Sequence, residues 1–325
     1  MNVTVLYVGS SLLAPLKNAE REINRAYDLD LRVAAHNFGS PLSDHEWIEV
    51  ERDLAGANIV FVIHVMDGEN ATRLVRALDK RKHDAVIVIN CMPELMRHTR
   101  MGRLDVARLG LVSSWLQKAK PKTQKTNHGR NHGHYLKLVD RLPRVLKFVP
   151  TTGAFTDAKH YLNLFCYFLQ PTPANIQSML LYALKHYVDD PRLKKLKLAA
   201  PQQVPSVAIY HPDAPKLFET FEAYQKWSRQ PLKPQSTIGL LLMRPQVVSK
   251  TTKHYDALIR AIEAEGLSVV PAIATLMDNR EAVNKFFIDE GRPRVSQVVS
   301  LTGFSFVGGP AMNDSVAAAE FLREL

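Results

Sequence analysis

A chain of 325 residues is long enough for two ordinary domains, each burying its own core. Hydrophobic residues at 46% and charged residues at 23% exclude an intrinsically disordered chain. No run reaches the ~18 consecutive apolar residues of a bilayer span, so no transmembrane segment is expected. The net charge of +10 is concentrated in one window. Residues 117–150 hold Lys118, Lys120, Lys122, Lys125, Arg130, Lys137, Arg141, Arg144 and Lys147 against a single acid, Asp140, and leave the remainder nearly neutral. A local patch of this kind bears on partners or solubility, and the whole-chain charge is no signature of a nucleic-acid partner.

The N-terminus opens directly into a strand-like run, residues 3–9, with no basic segment before it, so a secretory signal is not expected. Residues 12–27 follow as an amphipathic helix, 29–35 as a strand and 43–55 as a helix, where Ser43 and Glu46 make a capping box. Strands at 59–65 and 85–90 flank a helix at 69–79. Short β-branched strands alternating with helices imply a parallel sheet covered on both faces. Ligands of such sheets sit beyond the carboxyl ends of the strands. Those ends carry Gly9-Ser10-Ser11, His36-Asn37, His64 to Asp67 and Asn90 to Pro93.

From residue 93 to 188 the pattern turns helical, with amphipathic stretches at 104–116, 158–170 and 174–188. Pro173 falls at a first-turn position, where its missing N–H costs nothing. Between them, residues 118–135 read as a polar loop, and the proline- and lysine-rich stretch 191–205 reads as a linker. The alternation then restarts. Strands are expected at 206–210, 238–243, 268–274 and 297–301. Helices are expected at 252–265 (closed by Gly266), near 280–288 and at 314–325. A parallel sheet built this way expects a further strand after the last helix. The fold class is therefore α/β, with two doubly wound, mostly parallel sheet units joined by a helical segment, the second incomplete at its C-terminal end. The expected boundaries are 1–190, a linker at 191–205, and 206–325. Cys91 and Cys166 sit within apolar segments and read as buried thiols of a reducing, cytoplasmic compartment.

Several signatures are missing from the sequence. There is no Gly-Lys dipeptide for a phosphate loop, no G-x-G-x-x-G after the first strand, and no G-x-S-x-G, H-E-x-x-H or C-x-x-C. An ATPase, a nicotinamide dehydrogenase and a serine hydrolase all lose support. His128, His132 and His134 have ligand-like spacing but lie in a Gly- and Asn-rich loop without a neighbouring carboxylate or cysteine, so a solvated loop is the simpler reading and no metal site is assigned. A sharper feature is Tyr210-His211-Pro212-Asp213-Ala214-Pro215, where a strand exit carries His211 and Asp213. Arg244 ends the next strand, His254 and Asp256 open the following helix, and Gly308-Gly309 follow the last strand. If these strand ends share one rim, His211, Asp213, Arg244, His254, Gly308 and Gly309 line a ligand pocket.

At this point the residues match a known family. YHPDAP (210–215), LLLMRP with TTKHYDALIRAIEAEGLSVVPAIA (within 240–274) and SLTGFSFVGGPAMND (300–314) are similar to the large subunits of magnesium chelatase and cobaltochelatase, in the same order and spacing. The first part, from MNVTVLYVGSS to LQPTPANIQSMLLYAL, looks like the extra domain of the magnesium-inserting members. The resemblance implies binding of protoporphyrin IX for ATP-dependent Mg2+ insertion in chlorophyll and bacteriochlorophyll synthesis. It implies two smaller AAA+ ATPase subunits, I and D, as partners. Mg2+ and ATP would be used by the whole complex, with no cofactor bound by these residues. Family members are several-fold longer, and the acidic and histidine residues thought to serve the chemistry fall outside this stretch, so no catalytic residue is carried over. Arg244, His211 and the 118–130 loop are the cationic candidates for the porphyrin propionates. Phe304 and Phe306 read as core rather than stacking residues. Three alternatives stay open: a non-catalytic tetrapyrrole- or partner-binding module, a cobaltochelatase-type subunit of cobalamin synthesis, and a self-standing enzyme around His211.

Overall fold

The computed structural model describes residues 1–9, 11–89, 91–107, 152–274, 278–303, 306–307 and 314–323. These divide into two compact units, one ending at Gln202 and the other beginning at Gln203.

The first unit runs β1 (Asn2–Tyr7), α1 (Leu13–Tyr27), β2 (Arg32–Asn37), α2 (Asp44–Ala55), β3 (Ile59–Ile63), α3 (Gly68–Asp79), β4 (Ala85–Ile89), α4 (Pro93–Met96), β5 (Arg100–Met101) and β6 (Leu104–Asp105). Three helices follow: α5 (Ala154–Leu169), α6 (Pro173–Tyr187) and α7 (Pro191–Lys194). The sheet order is β2-β1-β3-β4-β5-β6, parallel through β4 and antiparallel beyond it. Every residue of β3 and β4 is buried because both faces are covered. Ile59, Phe61 and Ile63 pack toward α1, α5 and α6, while Val60 and Val62 pack toward α2 and α3. The capping box is present: the Ser43 hydroxyl accepts Glu46 N–H, and the Glu46 carboxylate accepts Ser43 N–H. Pro173 opens α6 behind a Thr172 cap.

Two expectations change here. Leu104 and Asp105, expected to begin a helix, form β6 instead. The chain turns at Gly102, with φ +56°, and pairs back on β5, while the rest of that stretch from residue 108 lies outside the described residues. Residues 191–202, read from composition as linker, pack on this unit. Leu193 and Leu196 enter its core, and the Asn175 side chain brackets Gln202, accepting its N–H at 2.8 Å and donating to its carbonyl at 2.9 Å. Two leucines three residues apart bury one side of a segment that also carries Arg192, Lys194, Lys195 and Lys197.

The second unit runs β7 (Ala208–Ile209), α8 (Phe221–Trp227), β8 (Thr237–Met243), α9 (Arg244–Val248), α10 (Lys253–Ala264), β9 (Ser268–Ala274), α11 (Arg280–Phe286), β10 (Ile288–Asp289), β11 (Arg292–Pro293), β12 (Gln297–Ser300) and α12 (Ser315–Arg323). Its sheet order is β12-β8-β9-β7. β12, β8 and β9 are parallel, and β7 is antiparallel to β9. Phe221, Tyr224, Phe286 and Phe287 cover one face, and Val247, Tyr255 and Ile259 the other. β10 and β11 form a separate two-residue hairpin. Gly266, at φ +78°, follows α10 as expected from the sequence.

Gly239 of β8 marks a close approach between the sheet and Phe287 at the end of α11, since a Cβ there would lie 2.9 Å from the Phe287 ring. Phe287 is fully enclosed and cannot withdraw. Gly239→Ala should therefore destabilise the second unit by about 1–3 kcal/mol, the usual cost of overpacking a filled core. Urea unfolding followed through Trp227 measures it, and an unchanged midpoint would contradict this account.

Candidate functional site

The carboxyl ends of β8 and β9 are assembled from side chains that mostly bond backbone. Arg244 leaves β8 and opens α9, with Pro245 in its first turn. Its guanidinium turns back to the strand that enters β7: Nε donates to the Pro205 carbonyl at 2.8 Å and Nη2 to the Val204 carbonyl at 2.7 Å. The start of α10 carries a second set. The Tyr210 hydroxyl donates to Asp256 Oδ1 at 2.6 Å and lies 3.1 Å from Thr252 Oγ1, which donates to Asp256 Oδ2 at 3.2 Å. Burial and then the Asp256 bond push the Tyr210 phenol up to about 12. Tyr255 accepts Met243 N–H at 3.2 Å, tying α10 to the end of β8. His254 is exposed, with its ring 4.0 Å from the Tyr255 ring.

Beyond β9, Asp278 holds Arg280 through three contacts of 2.7–3.1 Å. Asn279, 3% exposed, binds the Phe306 carbonyl through both its backbone N–H and Nδ2, leaving Oδ1 buried without a partner. Ser300 and Thr302 pair their hydroxyls at 3.0 Å past β12.

His211 and Asp213 are elsewhere. Because β7 runs against β9, with Ile209 opposite Ala272 and Tyr210 N–H on the Pro271 carbonyl, its exit leads to the amino end of the sheet. There His211 Nε2 meets Glu263 Oε1 at 3.2 Å, and Nδ1 accepts Asp213 N–H at 3.2 Å. Nδ1 is thus the lone-pair nitrogen, and Nε2 carries the proton that goes to Glu263. The ring is 5% exposed and packs 4.9 Å from Trp227. Asp213 pairs with Arg260 at 2.9 Å, and that bond lowers its carboxyl below the usual range. Glu263 and Arg260 belong to the last turns of α10, whereas Thr252, His254 and Asp256 sit at its first. The two sets are centred about two turns apart along this helix, roughly 11 Å.

The shared rim expected from the sequence is therefore not formed. Arg244 and His254 lie at the carboxyl end, and His211 and Asp213 at the opposite end. Gly308, Gly309, Phe304 and the 118–135 loop with His128, His132 and His134 fall outside the described residues. Phe306 packs on the core and stacks on Phe321 at 5.6 Å. Asn279 was missed because nothing in the sequence marks a buried amide with an unspent oxygen. Tyr210 and Asp256 were visible, but not their bond. Among the described residues no group of three or more His, Cys, Asp or Glu side chains is placed to hold a metal, and no helix is long and apolar enough to cross a membrane.

In the first unit the strand order reverses between β1 and β3, the position where doubly wound sheets open a crevice. His64 stands there at φ +58°, with its ring 5.3 Å from Phe168 and its pKa lowered by burial. Asn37 Oδ1 accepts both Gly9 N–H and Gly39 N–H, and Asp67 caps α3. The Cys91 thiol, pushed up to about 11 by burial, contacts Val65 N–H and the Ile89 carbonyl, which is a packing role.

Comparison with known proteins covers both units. Residues 165–325 match the CobN/Magnesium Chelatase family model, and residues 2–162 match a domain of unknown function (DUF3479). The chain is 30% identical over 338 aligned positions to the magnesium-chelatase H subunit of Rhodobacter capsulatus, covering all of this chain and 27% of that protein. It is 34% identical over 286 positions to the chloroplastic magnesium-chelatase ChlH subunit of Oryza sativa subsp. indica, covering 84% of this chain and 20% of that one. The chain thus spans about a quarter of the length of these relatives. Among solved structures, the catalytic subunit of cobaltochelatase from Mycobacterium tuberculosis aligns over 86% of this chain and 16% of its own, at 17% identity and TM-score 0.37.

Removing the Arg244 guanidinium frees two half-buried carbonyls and releases the entry to β7. Arg244→Ala should destabilise the second unit by about 1–3 kcal/mol, the range for carbonyls left unpaired. Arg244→Lys should recover only part of the loss, because one ammonium lacks the planar fork that serves both carbonyls. Paired urea denaturation curves give both values, and equal stability of all three proteins would contradict this assignment.

Proposed function

The chain belongs to the CobN/magnesium-chelatase family, and from that premise we propose that it serves the large-subunit role in magnesium insertion, contributing binding of the porphyrin rather than the insertion step. The observation that carries this reading is the extent of the likeness: 30% identity to a magnesium-chelatase H subunit along the whole chain. The first unit belongs to that match as much as the second, which favours magnesium over cobalt as the metal inserted.

The insertion itself exchanges two pyrrole protons for Mg2+. It requires a pocket for a flat apolar ring, cationic partners for two propionates and a base for the protons. In this reading the ring is protoporphyrin IX, and separate ATPase subunits supply the energy of ATP hydrolysis. The described residues offer the second requirement only. On the carboxyl rim of the second unit, His254 is exposed and makes no hydrogen bond among the described residues, so it can meet a carboxylate without breaking one. Arg244 can contribute positive potential but already donates to two carbonyls, and engaging a propionate directly would cost those bonds. The lysines of the 118–130 loop remain a second cationic source. His211 and Asp213, each engaged by an α10 side chain at the far end of the sheet, are assigned to holding β7 against α10.

A fluorescence titration with a soluble dicarboxylate porphyrin tests the reading. Saturable quenching is expected, weakened by His254→Ala and unchanged by Asp213→Asn. Removing one exposed contact should weaken binding by no more than roughly tenfold. Quenching that salt abolishes while His254→Ala leaves it intact would move the anion contacts to the lysine loop. No saturable quenching at all would reject porphyrin binding by this chain.

A further inference from the structure

The helices α5 and α6 bring together a group of side chains that neither the sheet core nor the proposed role uses. Asp157, 9% exposed, accepts the Arg103 backbone N–H on Oδ2 at 2.8 Å and the Tyr187 hydroxyl on Oδ1 at 2.9 Å. Gly102 makes the room, since a Cβ there would stand 2.5 Å from Oδ1. The Tyr187 oxygen also lies 3.1 Å from His160 Nδ1. An ionised carboxylate only accepts, so the one phenolic proton goes to Asp157 and His160 donates its Nδ1–H to the phenol oxygen. That leaves the lone pair on His160 Nε2. Among the described residues no group bonds this nitrogen, and it is not one of their enclosed unpaired atoms, so it reaches solvent.

The His186 ring lies 4.0 Å from the His160 ring, tilted by 42°, and no described residue hydrogen-bonds either of its nitrogens. Tyr182 closes on both rings, at 5.5 Å from His160 and 4.5 Å from His186. Desolvation lowers the pKa of His160. The same effect, followed by the neighbouring charges of His160 and Lys185, lowers that of His186. Two neutral imidazoles therefore stand side by side, one of them oriented from behind by a carboxylate through a phenol.

We propose that His160 and His186 form an open site for a borderline first-row divalent ion of the zinc, cobalt and nickel class. Neutral imidazole suits such ions, whereas Mg2+ takes oxygen ligands, so the site discriminates against Mg2+. The relay behind His160 is of the kind that fixes the tautomer and direction of a metal-binding imidazole. With metal–nitrogen distances near 2.0–2.1 Å and a tetrahedral angle, the two ring centroids would stand about 5 Å apart. The pair must open by about 1 Å, and the exposed, unbonded His186 ring can do so by rotating. No third His, Cys, Asp or Glu among the described residues completes the set, so water or an exogenous ligand occupies the other positions and the ion exchanges.

The test is a Co2+ titration of the full chain, followed through its visible d–d bands, with Zn2+ equilibrium dialysis in parallel. One saturable site is expected, indifferent to excess Mg2+. His186→Ala, an exposed position with no hydrogen bond to lose, should weaken binding by at least roughly tenfold, the lower end of what even an outer-shell partner contributes. Tyr187→Phe breaks the relay without touching the ion and should weaken it by roughly 10–100-fold. The combined His128→Ala, His132→Ala and His134→Ala variant should bind as the parent does. Absence of saturable binding, survival of binding in His186→Ala, or its loss in the triple loop variant would each overturn the proposal.

Discussion

A parallel ladder needs apolar cover on both of its faces, and that demand organises the chain. β3 and β4 expose nothing, since alternate residues point to opposite helix layers and both layers are full. The α1 layer alone would not close its face. The α5–α6 hairpin completes it, placing Leu164, Tyr167, Phe168, Ile176 and Leu180 in the same cluster as Ile59, Phe61 and Ile87. The helical stretch after β6 is thus a wall of the first core. In packing against the sheet, it also sets Asp157, His160, His186 and Tyr187 beside one another. At β12 the cover fails. All four of its residues are exposed, and α12 buries none of its own.

The second determinant is the direction of one short strand. β7 contributes two residues to the sheet, and its antiparallel pairing decides which side chains can cooperate. Had it run with β9, its exit would have delivered His211 and Asp213 beside Arg244. Running against β9, it delivers its entry there instead, and Arg244 becomes the clamp on that entry through the Val204 and Pro205 carbonyls. His211 and Asp213 then meet Glu263 and Arg260 at the other end of α10. The same reversal brings Tyr210 within reach of Asp256, so the single segment 204–213 is tied to α10 at both ends.

Much of the fold was legible because period and punctuation agreed. The strand at residues 59–63 reads as an unbroken apolar run, β-branched but for Phe61. Ser43 and Glu46 mark the start of α2 by chemistry that needs no tertiary partner, and Gly266 and Pro173 mark helix ends through backbone geometry alone. What could not be read depends on the rest of the molecule. Nothing local to residues 208–209 fixes parallel or antiparallel pairing, and the turn at Gly102 competes with a respectable helical pattern from Leu104 onward. Leu193 and Leu196 look like scattered apolar residues in a charged stretch until the core they enter is known. For the site, residue types were visible and their grouping was not, because grouping follows strand direction.

Polar groups at the carboxyl end of the second sheet are of two kinds, and the difference bears on what that end can recognise. Arg244, Tyr210, Thr252 and Asp256 spend their hydrogen bonds on backbone carbonyls or on one another, which fixes the chain at the cost of ligand contacts. Asp278 and Arg280 neutralise each other. Two groups are not spent this way: the exposed ring of His254 and the enclosed oxygen of Asn279. An amide oxygen buried without a donor costs about 1–3 kcal/mol, so its retention is informative where a well-packed apolar side chain would be cheaper. His254 stands on α10 and Asn279 at the start of α11, and these helices cover opposite faces of the sheet, so the two unspent groups are separate. The neighbouring pairs act as the frame that holds these two groups at the ends of β8 and β9.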